Sequence, residues 1–133
     1  LAARRWIGTP YVHQARARGA GCDCLGLVLG LWEEVLGPLP ETPPRYTPDW
    51  SEMAREERLW SAASRHLVAK EPEVAAAGDV ILFRMREGAV AKHLGVQSVT
   101  GAAPRFIHAW SGHGVVETRL TPPWVRRTVA RFA

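Results

Sequence analysis

Gly21-Cys22-Asp23-Cys24-Leu25-Gly26-Leu27-Val28-Leu29-Gly30-Leu31-Trp32, with its continuation Glu33-Glu34-Val35-Leu36-Gly37-Pro38, decides how this chain folds. From Cys24 on, Leu27, Val28, Leu31, Trp32, Val35 and Leu36 recur at three and four, the spacing of a helix with one buried stripe. Asp23 stands before the run as an N-cap, because its short side chain accepts from the unpaired N–H groups of a first turn. Gly37 and Pro38 supply the stop: glycine tolerates the left-handed cap conformation, and proline has no N–H with which to continue the ladder. The helix therefore opens on a cysteine. Unpaired N–H groups and the helix dipole favour an anion there, which predicts a thiol pKa below the usual value of about 8.5 and makes Cys24 a candidate nucleophile. The same N–H groups suit the oxyanion of an acyl-transfer intermediate. The competing reading of Cys24 is a small buried hydrophobe.

Upstream of this helix, Ala2 to Trp6 reads as a short helix, and Gly8 to Gly21, rich in Gly, Arg and turn formers, reads as irregular. Downstream, five prolines between Gly37 and Asp49 enforce an extended excursion. Asp49 and Glu52 then resemble a capping box for a second helix with Met53, Trp60, Ala63 and Leu67 on its apolar face, ending near Lys70. After Gly78-Asp79 the pattern shortens to strand-like runs at Val80 to Arg84, Ala91 to Val99, Arg105 to Trp110, Val115 to Leu120 and Val125 to Phe132. Arg86-Glu87-Gly88, Gly101 to Pro104, Ser111 to Gly114 and Pro122-Pro123 mark the turns. Helices first and an antiparallel meander afterwards predict an α+β fold, and 133 residues predict one domain, 1–133.

Two histidines fall where a base is needed. His93 shares a strand face with Gly95, and a glycine beside a histidine leaves room for a partner. His108 lies on the next predicted strand, on the face of Phe106 and Trp110. Neighbouring strands would set the two imidazoles side by side, the second orienting the first as the third member of a catalytic triad does. The alternative is two unrelated strand histidines. A Cys22-Asp23-Cys24 pair with these histidines lacks the usual two-residue spacer of a zinc site, so no metal is expected. His-x-Glu and His-Glu-x-x-His patterns are absent from the sequence, which removes the commonest deaminase and metallopeptidase readings. His13, His66 and His113 suggest no partner. Trp32, Trp60, Trp110 and Trp124 read first as core, with Trp110 a second candidate for the wall of the site.

Four motifs together resemble the NlpC-type cysteine peptidases, papain relatives that hydrolyse peptidoglycan stem peptides. Gly21 to Leu27 is similar to their Asp-Cys-x-Gly nucleophile signature, and Gly78-Asp79-Val80-Ile81-Leu82-Phe83 to their first-strand motif. Lys92-His93-Leu94-Gly95-Val96 resembles their catalytic-histidine strand, and Phe106-Ile107-His108-Ala109 the strand bearing the third residue. Upstream, Trp6-Ile7-Gly8-Thr9-Pro10-Tyr11 resembles their Gly-x-Pro-Tyr segment, but Val12-His13-Gln14 follows where many members carry a Trp-Gly-Gly type turn. The resemblance implies a papain-like fold with helices packed on an antiparallel sheet. It implies Cys24 as nucleophile, His93 as base and His108 as the residue that orients it. It also implies Tyr11 lining the substrate site and Asp23 holding the free amino end of a stem peptide. The implied bond is the amide between D-glutamate and the diamino acid, cut without a cofactor. The variant is similar to a branch found with phage tails and gene transfer agents. That implies tail-tip or baseplate partners and local opening of the wall, by a protein made in the bacterial cytoplasm and acting in the periplasm.

Composition is compatible with this and narrows the rivals. A formal charge of +4 and a pI near 9.7 favour an anionic partner. The arginines come in scattered pairs with acids between them, so a specific nucleic-acid interface is not expected. Cysteines two positions apart rarely meet disulfide geometry. The sequence carries neither a signal-peptide pattern nor an apolar run of membrane-spanning length, so export by its own signal and membrane insertion are not expected. A non-catalytic, structural or wall-binding tail component with the same fold is the alternative to the hydrolase.

Overall fold

The computed structural model describes residues 2–38, 63–85 and 93–133. The proline-rich excursion, the Asp49/Glu52 capping box, Met53, Trp60, Lys92 and the turn at 86–88 lie outside the described residues. Ala2–Trp6 form a 3-10 helix, and a two-stranded antiparallel ribbon pairs β1 (Arg16–Ala17) with β2 (Gly21–Cys22). Helix α1 spans Cys24–Val35. Then come β3 (Ala69–Lys70), β4 (Val80–Phe83), β5 (His93–Val99), β6 (Arg105–Trp110), β7 (Gly114–Arg119), helix α2 (Pro122–Arg127) and β8 (Thr128–Phe132). The six-stranded sheet has the order β3-β8-β4-β5-β6-β7, with every pairing antiparallel. The α+β expectation holds.

Three local expectations are corrected. The stretch before Gly21 is not wholly irregular: Arg16 and Ala17 pair with Cys22 and Gly21, and Tyr11 bridges Cys22 in parallel. The second helix does not reach Lys70. Residues 63–66 are helical, but Ala69 and Lys70 pair with Phe132 and Arg131 at the sheet edge. Pro122-Pro123 do not end a turn before a strand beginning at Val125; they open α2, because a fixed proline φ suits the first helical turn, where an N–H has no helical partner. That helix carries the chain back across the sheet, so β8 joins β4 instead of continuing the meander beside β7.

Alternation along the central strands sorts the core into two layers. Leu94, Val96, Leu82 and Ile107 face α1 and the N-terminal 3-10 helix, where they meet Leu27, Trp6 and Cys22 or Leu25 and Val28. Ile81, Phe83 and Phe106 face the other way, onto Trp124 of α2. All four residues of β4 are therefore buried. Helix α1 sits close to its neighbours at its glycines. A Cβ on Gly26 would lie 1.8 Å from the Ala15 carbonyl oxygen, and one on Gly30 would lie 2.3 Å from the Trp6 ring. The expected stripe is thus shifted towards the N-terminus of the helix, and Val35 and Leu36 are exposed. Gly37, at φ 97°, closes the helix with its N–H on the Trp32 carbonyl.

Candidate active site

Asp23 caps α1 as expected: its Oδ1 accepts from the Gly26 N–H at 2.7 Å. Its other oxygen accepts from the Gln14 N–H at 2.8 Å, with His13 Nδ1 3.8 Å away. One buried carboxylate thus ties the helix N-terminus to the loop ahead of it. Gln14 adopts a left-handed φ of 63° there, a conformation uncommon outside glycine. Among the residues the sequence left without a role, His13 and Gln14 gain one here, as neighbours of Asp23.

Cys24 is half-buried, and the backbone amides of Leu94, Leu25 and Cys24 itself lie near enough to its sulfur to favour the anion. The Leu94 amide comes from another element, and the sheet explains why it is available. The ladder between β5 and β6 joins Val96 to Ile107, Gln97 to Phe106 and Val99 to Arg105, whereas His93, Leu94 and Gly95 are laddered to β4. The β5–β6 ladder thus stops at Val96, short of the His93 end of the strand. The expectation of a lowered thiol pKa is overturned. Burial, and next the charge of Asp23, push the Cys24 thiol up to about 11, against the lowering effect of the three amides. The helix terminus helps the anion, but removal from water and an adjacent carboxylate outweigh it. Cys22 is buried and pushed up to about 12 by burial, Asp23 and Cys24.

The two histidines meet as the strand order predicts. His93 Nε2 lies 2.7 Å from His108 Nδ1, with the rings edge to face. The far nitrogen of His108, Nε2, lies 2.8 Å from Thr118 Oγ1 on β7, a partner that sequence reasoning missed. Strand register could have found it: Phe106 pairs with Thr118 and His108 with Val116, so Thr118 is the diagonal neighbour of His108 on the same face. Burial, with the neighbouring His108 second, lowers His93 to about 3; burial, then His113, lowers His108 to about 4. Both imidazoles are neutral at neutral pH. Gly95 does leave room on that face, and the ring of Phe106 fills it: a Cβ there would lie 2.7 Å from Phe106 Cδ2.

An aromatic layer shields the pair from water. Trp124 meets His108 edge-on at 5.2 Å and His93 at 5.9 Å, while Trp110 stacks on His108 at 5.6 Å and on His113 at 4.6 Å. Trp124 is buried and Trp110 partly exposed, so the first is core and the second borders the site. Tyr11, half-buried, is pushed up to about 12 by burial and then by the nearby Cys24, Asp23 and Cys22. Tyr11 and Asp23 thus lie beside Cys24 at the N-terminus of α1, while His93, His108 and Thr118 form a hydrogen-bonded chain on the sheet face that carries Trp124. Among the described residues no group of three His, Cys, Asp or Glu side chains is arranged to hold a metal ion, and no helix is long and apolar enough to cross a membrane.

No protein-family profile matches the chain, and no curated protein sequence matches it. Solved structures do. An NLP/P60 family protein from Staphylococcus aureus subsp. aureus Mu50, described as similar to a lipoprotein, superposes with a TM-score of 0.61 at 21% identity, over 98% of this chain and 38% of that one. An NlpC/P60 family protein from Bacillus cereus ATCC 10987 superposes with a TM-score of 0.64 at 23% identity, over 97% and 36%. The fold is that of the NlpC/P60 structures; in this chain the helix packed against the antiparallel sheet opens on Cys24. The chain spans well under half the length of either protein.

Proposed function

We propose that this chain is a cysteine peptidase of the NlpC type that hydrolyses an amide bond in peptidoglycan stem peptides. The observation that carries the proposal is the junction at the start of β5: the amide of Leu94 lies against the Cys24 sulfur, and the preceding residue, His93, is hydrogen-bonded to His108 at 2.7 Å. Cys24 attacks the scissile carbonyl, and His93 takes the thiol proton through Nδ1, the nitrogen not engaged by His108, and gives it to the leaving amine as the C–N bond breaks; His93 then deprotonates the water that cleaves the thioester and returns that proton to the Cys24 sulfur. Because the resting thiol and both imidazoles are neutral, proton transfer accompanies attack and no preformed ion pair is needed. The amides of Cys24 and Leu25 face the charge that develops at the carbonyl oxygen. Asp23, buried and anionic beside Tyr11, receives the cationic amino end of the stem peptide, which favours the bond between D-glutamate and the diamino acid. The role in a phage-like or gene-transfer-agent tail, opening the wall locally, rests on the sequence motifs described above.

Digestion of purified sacculi whose stem peptides have first been freed at their amino ends by an amidase, followed by mass spectrometry of the released fragments, tests the reading. Wild-type protein should release peptides with a newly exposed diamino-acid amine. Cys24→Ala should release none while retaining the native circular dichroism spectrum; equal release by both would refute the assignment. A second reading, a wall-binding tail component without turnover, draws on the raised Cys24 pKa. It requires that wild type co-sediment with sacculi and release nothing.

A further inference from the structure

We propose that Thr118 is a positioning residue that sets the proton inventory of the histidine pair: its hydroxyl accepts from His108 Nε2–H, so that His108 Nδ1 accepts from His93 Nε2–H and His93 Nδ1 is left bare to receive a proton. The inference rests on the peptidase reading for its consequence, but its physical content stands on geometry alone.

Two imidazoles joined Nε2 to Nδ1 at 2.7 Å share one proton between the facing nitrogens. Each neutral ring carries one proton in all, so the chain has two self-consistent orientations. In one, His93 donates to His108 and His108 donates to Thr118. In the other, a Thr118 hydroxyl hydrogen points at His108 Nε2, His108 donates from Nδ1 to His93 Nε2, and His93 carries its proton on Nδ1. The second orientation cannot accept a proton from a thiol. The choice is made at the far end of the chain, where Thr118 Oγ1 lies 2.8 Å from His108 Nε2. A hydroxyl is both donor and acceptor, and Thr118 is only half-buried, so its own hydrogen has water as an alternative acceptor. His108, by contrast, is fully buried, so an Nε2–H without an acceptor would carry a desolvation penalty that Thr118 removes. The aromatic neighbours Trp124, Phe106 and Trp110 that surround His108 offer it ring faces and edges.

The test is long-range proton–nitrogen correlation NMR of the imidazoles in wild type, Thr118→Val and Thr118→Ser at pH 7.5, with peptide release measured alongside. Wild type and Thr118→Ser should show His93 protonated at Nε2 and bare at Nδ1. Thr118→Val, of nearly the same shape, should show a substantial Nδ1–H population at His93. It should also lower kcat by about tenfold with KM unchanged, while Thr118→Ser restores kcat. A wild-type His93 protonated at Nδ1, or tautomers unaltered by the valine, overturns the proposal. Because the spectra need no turnover, an inactive wild type would refute the peptidase reading and leave the tautomer result to decide this one.

Discussion

The two ends of β5 hold buried polar groups in opposite electrical conditions. His93 begins the strand in a chain of neutral groups, His93 to His108 to Thr118, walled by aromatic rings. Four residues on, and on the same face, Gln97 joins an ion-paired cluster. Its Oε1 accepts from Arg131 NH1 at 2.9 Å, and Arg131 NH1 also reaches Asp79 Oδ2 at 3.1 Å. The same carboxylate oxygen accepts from Lys70 Nζ and the Ala76 N–H, each at 2.9 Å, and Arg131 Nε donates to the Pro72 carbonyl at 3.0 Å. Gly95 stands between the two, with the Phe106 ring in the space a side chain would take. The ion-paired end staples β8, β4, β5 and the segment before β4, and its charges are tolerated because each has partners. The neutral end has a proton that can move. The Asp79 of the sequence motif is therefore structural.

Substitutions at the two ends should separate these roles, and the largest contrast comes first. His93→Gln should lower peptide release by about 10² to 10⁴ with a modest change in urea midpoint. Arg131→Met, which strips Asp79 of its guanidinium, should destabilise the protein by about 3 kcal/mol in urea unfolding and leave kcat per folded molecule unchanged. A loss of turnover equal to that of His93→Gln would erase the distinction between the two ends.

Acid titration should sharpen it next. Folded His93 and His108 stay neutral down to about 3 and 4, whereas unfolded histidine protonates near 6.5. The unfolded state binds more protons in between, so stability is greatest above pH 6.5 and falls as the pH drops towards 3. On the alkaline side the sign reverses. The folded Cys24 thiol resists ionisation up to about 11 from an ordinary 9.0, so stability falls as the pH rises through that window. Thermal melts from pH 3 to 11 read both limbs; His108→Asn should flatten part of the acid limb, and an unchanged slope would contradict the assignment. The smallest effect concerns Asp23. Asparagine caps a helix about as well as aspartate, so Asp23→Asn should keep the fold while removing the negative charge beside Cys24. The pH midpoint of Cys24 alkylation by iodoacetamide should then fall by about one unit, whereas an unmoved midpoint would mean that burial alone holds the thiol up.

How much of this was legible beforehand follows the range of the forces involved. The cap at Asp23, the cysteine opening α1, the glycine stop at Gly37 and strand β6 from Arg105 to Trp110 were all readable, because capping, left-handed turns and period-two alternation are settled within a few residues. The pairing of His93 with His108 was legible from adjacent strands. Tertiary structure alone decided the rest. The return of β8 beside β4 and the ribbon at Arg16 to Cys22 join residues whose contacts no local pattern encodes. The Cys24 pKa went against its local helix position for the same reason: desolvation depends on everything packed around a group, and the sequence states only what lies next to it.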